Sequence, residues 1–139
     1  MTTAPIPTTE PPSKSLQPTG WLRYLSFSLD HKVIGIQYLV CGFIFYLIGG
    51  ALASAIRIEL TSPISDFLQR DVYNQVLTLH GTIMIFLWIV PVVNGAFGNY
   101  LIPFYVGARD MAFPRLNAVA FWLIPPSGLM LISSYFITG

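Results

Sequence analysis

Residues 33–56 read VIGIQYLVCGFIFYLIGGALASAI, 24 consecutive positions without a charged side chain. A bilayer core about 30 Å thick is crossed by roughly 20 apolar residues of helix, so this stretch suffices for one crossing. Two more follow. Residues 72–108 give 37 positions uncharged apart from His80, and residues 116–139 give 24 more. The charges collect between these runs, as Arg57, Glu59, Asp66, Arg70 and Asp71 in one interval and Arg109, Asp110 and Arg115 in the next. Only 9% of the chain is charged and 54% is hydrophobic, against about 25% charged in an ordinary soluble domain. That leaves too little polar surface for a water-soluble globule. The sequence predicts an all-α membrane protein whose three transmembrane helices cover about 31–57, 73–103 and 116–136.

The first 20 residues carry five prolines among Thr and Ser, with almost nothing apolar to bury. They predict a disordered tail, taken to residue 23, with no apolar core that would make a secretory signal. Asp30 stands where an N-cap would take the free N–H groups of the first helical turn. Pro91 should kink the second helix, since proline removes a backbone donor. Pro125-Pro126 interrupts the third helix, so its freed carbonyls call for neighbouring protein or water.

Basic residues orient the chain. The tail and the 104–115 loop hold Lys14, Arg23, Lys32, Arg109 and Arg115, while the 58–72 loop holds Arg70, with Arg57 at its edge. Five against two puts the N-terminus in the cytoplasm. The sequence stops directly after the third helix, which reads as a fragment of a larger bundle. A net charge of +1 with no basic stripe argues against a nucleic-acid partner. The single cysteine, Cys41, lies inside the first span and reads as a small buried apolar residue.

Few residues offer chemistry. His80 lies about a turn and a half into the second span, where ionisable groups are costly and usually functional. A neutral imidazole suits haem iron, though a hydrogen bond to a neighbouring helix would equally explain it. Arg57 ends the first span on the same side. It reads as an arginine facing an anion or a carbonyl-bearing cofactor, or as one whose head snorkels to water. On the opposite side Asp110, Asn99 and Asn117 form a polar series running from loop to membrane. An acid that collects protons and amides that order water would make an uptake entrance; capping and helix termination are the simpler alternative. No P-loop, GxSxG, CxxC or HExxH pattern occurs.

The stretches GAFGNYLIP (95–103), GARDMAFPRLN (107–117), FWLIPP (121–126), DHKVIGIQY (30–38), RIEL (57–60) and HGTIMIF (80–86) resemble, in order and spacing, subunit I of the haem–copper respiratory oxidases. The resemblance covers everything but the tail. It implies a bacterial cytochrome c oxidase, in which electrons from cytochrome c reduce oxygen to water and protons are pumped. The alternatives are a quinol oxidase of the same superfamily and, from another class, a non-catalytic truncated membrane protein.

The resemblance also implies residue roles. His80 matches one axial ligand of the low-spin haem, of the haem a type. Arg57 matches the arginine at that haem's periphery. Asp110 matches the acid at the mouth of the D-type proton channel, and Asn99 and Asn117 match the amides just inside, with Tyr38 and His31 near the same entrance. Glu59 matches a carboxylate that in some members helps to bind calcium or sodium, although Ile64 stands where some relatives have glycine. The second haem, copper and their ligands come from later helices in the family, and two histidines, His31 and His80, cannot build an oxygen-reducing centre. Implied partners are the remaining helices of subunit I, subunits II and III, cytochrome c or a similar donor, and membrane lipid. The implied location is the bacterial plasma membrane or an internal energy-transducing membrane.

Overall fold

The computed structural model describes residues 20–61, 63, 67–109 and 111–137. It is all helical over these residues. A short 3-10 turn, Trp21–Leu25, precedes three long helices: α1 (His31–Glu59), α2 (Arg70–Val106) and α3 (Pro114–Ile137), each long and apolar enough to cross a membrane. They run a few residues past the expected limits, mostly at their polar ends. The tail boundary expected at 23 falls inside the 3-10 turn. That turn is tied down by an ion pair of 2.6 Å between Arg23 and Asp30. The Gln37 side-chain amide also donates to the carbonyls of Tyr24 and Ser26, both at 2.9 Å.

Local chemistry sets the helix ends. The Asp30 carboxylate accepts the Lys32 N–H at 3.0 Å, the expected N-cap. At the end of α2, Gly107 takes φ +71°, a left-handed conformation that glycine adopts without a Cβ penalty. The Ala108 N–H then closes on the Pro103 carbonyl at 3.0 Å, as in helix C-caps of this kind. Proline opens α3 at Pro114, where a missing N–H costs nothing.

Where a kink is expected at Pro91, α2 instead winds wider, as π-helix over Ile83–Ile89 and Pro91–Phe97. A proline ring clashes with the carbonyl four residues back and leaves it without a donor; shifting to i→i−5 bonding relieves both. The Pro125-Pro126 pair is absorbed within a continuous α3, where the Ser127 hydroxyl donates to the Ile124 carbonyl at 2.8 Å.

A buried stripe with 3-4 spacing organises the packing: His31, Gly35, Tyr38, Gly42, Phe45 and Gly49 all lie buried on α1. Its glycines, seven residues apart, let the antiparallel α2 approach. A Cβ at Gly35 would come within 3.2 Å of the Ala96 carbonyl, at Gly42 within 2.7 Å of Val92, and at Gly49 within 2.7 Å of the Met84 sulfur. Small residues do the same in other membrane bundles. Between the glycines, Tyr38 packs with Ile34, Ala96, Ala118 and Phe121, and Phe45 with Leu79, Ile83 and Leu87. Most apolar side chains nevertheless face outward: only 22%, 33% and 17% of the three apolar windows is buried among the helices. Such a surface is stable only against lipid or further apolar protein.

Candidate functional site

The polar residues separate to opposite ends of the bundle. His80 and Asn99 are 19 positions apart on α2, roughly 28 Å at an α-helical rise, close to the thickness of a bilayer core.

At one end, His80 Nδ1 lies 2.9 Å from the Gly49 carbonyl oxygen. A carbonyl can only accept, so Nδ1 carries the proton and Nε2 keeps its lone pair. Fixing the tautomer through the second ring nitrogen is what a metal-bound histidine requires. Gly49 meets Met84, and a Cβ at the neighbouring positions Gly50 and Gly81 would meet nothing within 4 Å. A neutral, oriented imidazole beside two open glycines fits one face of a haem. His31 is no second ligand, since it lies 18 residues from Gly49 along α1, roughly 27 Å away.

Arg57 does not stand level with His80, contrary to the position expected from the span ends. It follows Gly49 by eight residues, roughly 12 Å further along α1, and is exposed. The difference arises because His80 bonds to a residue well inside α1 rather than to its end. The Glu59 carboxylate accepts the Leu68 N–H at 2.8 Å, so it folds the 60–69 segment back onto the end of α1. Among the described residues no three His, Cys, Asp or Glu side chains group as a metal site. Ile64 lies outside the described residues.

At the other end the Asn117 amide donates to Asn99 Oδ1 at 2.5 Å, and the Asn99 amide donates to the Gly95 carbonyl at 2.6 Å. Asn99 is buried, and its Cβ would lie 3.6 Å from one added at Gly35. Gly95 in turn lies flat against the Tyr38 ring. The wide winding of α2 ends at Phe97, so the Gly95 carbonyl stands at a change of register, where a side-chain donor satisfies it. Asn117 of α3, Asn99 and Gly95 of α2 and Tyr38 of α1 thus form one continuous polar seam between three helices. His31 is buried two turns from Tyr38 on the same stripe, beside an open cleft lined by Asp30, Lys32 and Arg109. Asp110 lies outside the described residues.

Gly49 and Met84 carry a role that the residue-by-residue reading leaves out. The signal is the seven-residue glycine spacing 35, 42, 49, which marks the face that α2 must touch.

The family model described as cytochrome c and quinol oxidase polypeptide I matches residues 33–139. Curated relatives include a cytochrome c oxidase subunit 1 from Synechocystis, 65% identical over 84% of this chain and 21% of its own length. Another, from Thermostichus vulcanus, is 57% identical over 100% of this chain and 26% of its own. A third, from Bacillus sp. PS3, is 50% identical over 81% of this chain and 18% of its own. The chain thus spans about a fifth to a quarter of the length of the relatives it matches. With the matched region running from the first turn of α1 through all three helices, the chain belongs to the cytochrome c and quinol oxidase polypeptide I family.

Proposed function

We propose that this chain is the N-terminal part of a cytochrome c oxidase subunit I, and that it supplies one axial ligand of the low-spin haem and the entrance of a proton-uptake path. The observation that carries the reading is the His80–Gly49 hydrogen bond, 2.9 Å, which leaves Nε2 as the free ligand nitrogen. Bound there, haem a would carry single electrons from cytochrome c towards oxygen. The residues of this chain orient and tune. Gly49 holds the imidazole plane and raises its basicity through the Nδ1–H bond, and the Arg57 guanidinium, further out, sets positive charge at the haem's edge. The opposing ligand, the second haem and copper belong to other parts of the assembly.

At the other end, Asp110 gathers protons at the surface and Asn117 and Asn99 lead inward towards Tyr38, with His31 beside the mouth. Amides do not themselves ionise at working pH, so their part is to orient the water that carries the proton. The basic residues flanking this end support a cytoplasmic N-terminus in a bacterial or internal energy-transducing membrane. Glu59, with carbonyls of the segment it closes, is proposed as a calcium or sodium ligand on the far side. Subunits II and III and the remaining helices of subunit I would cover part of the outward apolar surface.

The test is made in the full-length subunit. His80→Ala is expected to abolish the low-spin haem absorbance while the second haem remains, and Asp110→Asn to suppress proton uptake. An unchanged low-spin spectrum in the first variant would remove the ligand role.

A further inference from the structure

The Gln37 side chain is 4% exposed, and its two donor contacts are the carbonyls of Tyr24 and Ser26, yet its Oε1 is buried with no hydrogen-bond partner. An unsatisfied acceptor in an apolar setting costs the desolvation of that group, so a persistent one asks for a donor. Gln37 lines a cleft of about 290 Å³ whose other walls include Val40 and Ile44 of α1, Trp122 and Pro125 of α3, and Tyr24 and Leu25 of the 3-10 turn. We propose that this cleft binds one membrane phospholipid with an anionic, hydroxyl-bearing headgroup of the phosphatidylglycerol type, its acyl chain along the groove and a headgroup hydroxyl on Gln37 Oε1.

Shape favours a hydrocarbon chain over another helix. Gln37, Val40, Cys41 and Ile44 follow one another on one face of α1, so the groove runs parallel to the helix axes for about 10 Å. Its volume of about 290 Å³ then leaves a cross-section of roughly 30 Å², whereas a helix 10–12 Å across needs roughly 80–110 Å². Depth favours the headgroup level. The 3-10 turn closes the end of the groove and carries Trp21, which is 72% exposed, with Leu22, Leu25 and Phe27 also exposed. Trp122 lines the groove opposite, and tryptophans at this level form the interfacial belt of membrane proteins. Charge selects the headgroup. Arg23, Lys32, Arg109 and Arg115 surround this end of the bundle, and such clusters attract anionic lipid. Arg23 Nε, on the turn that Gln37 holds, is a second buried atom without a partner, in this case a donor.

The experiment uses the intact membrane complex that carries this chain, reconstituted in phosphatidylcholine nanodiscs. Trace phosphatidylglycerol or phosphatidylcholine is added with the same photoactivatable acyl chain, and labelled peptides are mapped. Choline headgroups have no hydrogen-bond donor. The expected result is labelling within residues 37–44 and 121–125 that is about fivefold stronger with the glycerol headgroup. Gln37→Leu removes that preference, and Val40→Trp, which fills the groove and leaves Gln37 in place, removes the labelling itself with the haem spectrum unchanged. Equal labelling by both probes, or a preference that survives Gln37→Leu, would overturn the headgroup assignment. Absence of label together with a protein crosslink from a photoactivatable residue at position 40 would show a protein segment in the groove and overturn the site.

Discussion

The imidazole of His80 is held by a residue that has no side chain: its Nδ1–H donates to the carbonyl of Gly49 at 2.9 Å, across the contact between α2 and α1. Glycine matters there twice, because its bare Cα also seats the Met84 sulfur one turn further along α2 from His80.

Gly49→Ala separates these effects. The added Cβ would stand 2.7 Å from Met84 Sδ and 3.2 Å from its Cγ. The flexible thioether must turn away or α2 must retreat, at a cost of about 1–3 kcal/mol for such overpacking. A lower melting temperature and a broadened low-spin haem band are expected. Adding Met84→Ala should recover most of the band, since the clash and not the carbonyl is what the first change alters; absorption spectra and thermal melts of both variants decide.

Gly95→Ala should be harsher. Its Cβ would overlap the Tyr38 ring, which is buried and held edge-on against Phe121 at 5.1 Å. Neither ring can swing aside cheaply, and the Gly95 carbonyl that holds Asn99 would move with the backbone. We expect a loss of about 2–3 kcal/mol and slowed proton uptake, while the haem absorbance of His80, about 28 Å away, stays unchanged.

Asn99 and Asn117 should behave as a coupled pair. Asn99→Ala leaves the Gly95 carbonyl without its side-chain donor in a buried position, whereas Asn117→Ala leaves only Asn99 Oδ1 without its partner, nearer the surface. Single-variant costs of about 1–2 kcal/mol, larger for Asn99, and an interaction energy of about 0.5–1.5 kcal/mol are expected. A double-mutant cycle from denaturation reads them, and additive values would mean that the 2.5 Å contact carries no energy.

Glu59→Ala releases the Leu68 N–H and with it the 60–69 segment. Cleavage by trypsin at Arg70 should quicken severalfold. If the carboxylate also serves as a cation ligand, as proposed, millimolar calcium slows cleavage of the wild type and leaves the variant unaffected.

The polar seam at Asn99 was only half legible in the chain. The residues stand out as amides at helix ends, and the order of the motifs supplies their pairing by resemblance. That Asn99 finds its acceptor at Gly95, and that Asn117 reaches it from α3, depends on how far α2 is wound past Pro91. Proline announces a disturbance, but whether the helix bends or widens is decided by what packs against it. Here Gly42 admits Trp88 and Val92 on the wide stretch. The level of Arg57 was misjudged for a related reason: span ends were taken as depth marks, although the depth of His80 is set by its partner on α1.

By itself the sequence determined that this protein is helical and membrane-embedded, because three long uncharged runs have no other stable solution in a medium without water. Its charges determined the boundaries, and the 3-4 spacing of small and large residues marked which face of α1 would be covered. Only the tertiary structure decided which atoms meet: the imidazole with the Gly49 carbonyl, the amides with each other, and the Gln37 oxygen with no protein donor. Periodicity fixes which face a side chain occupies. Hydrogen bonds need a match to within a few tenths of an ångström between helices, and that match arises from packing summed over the whole interface.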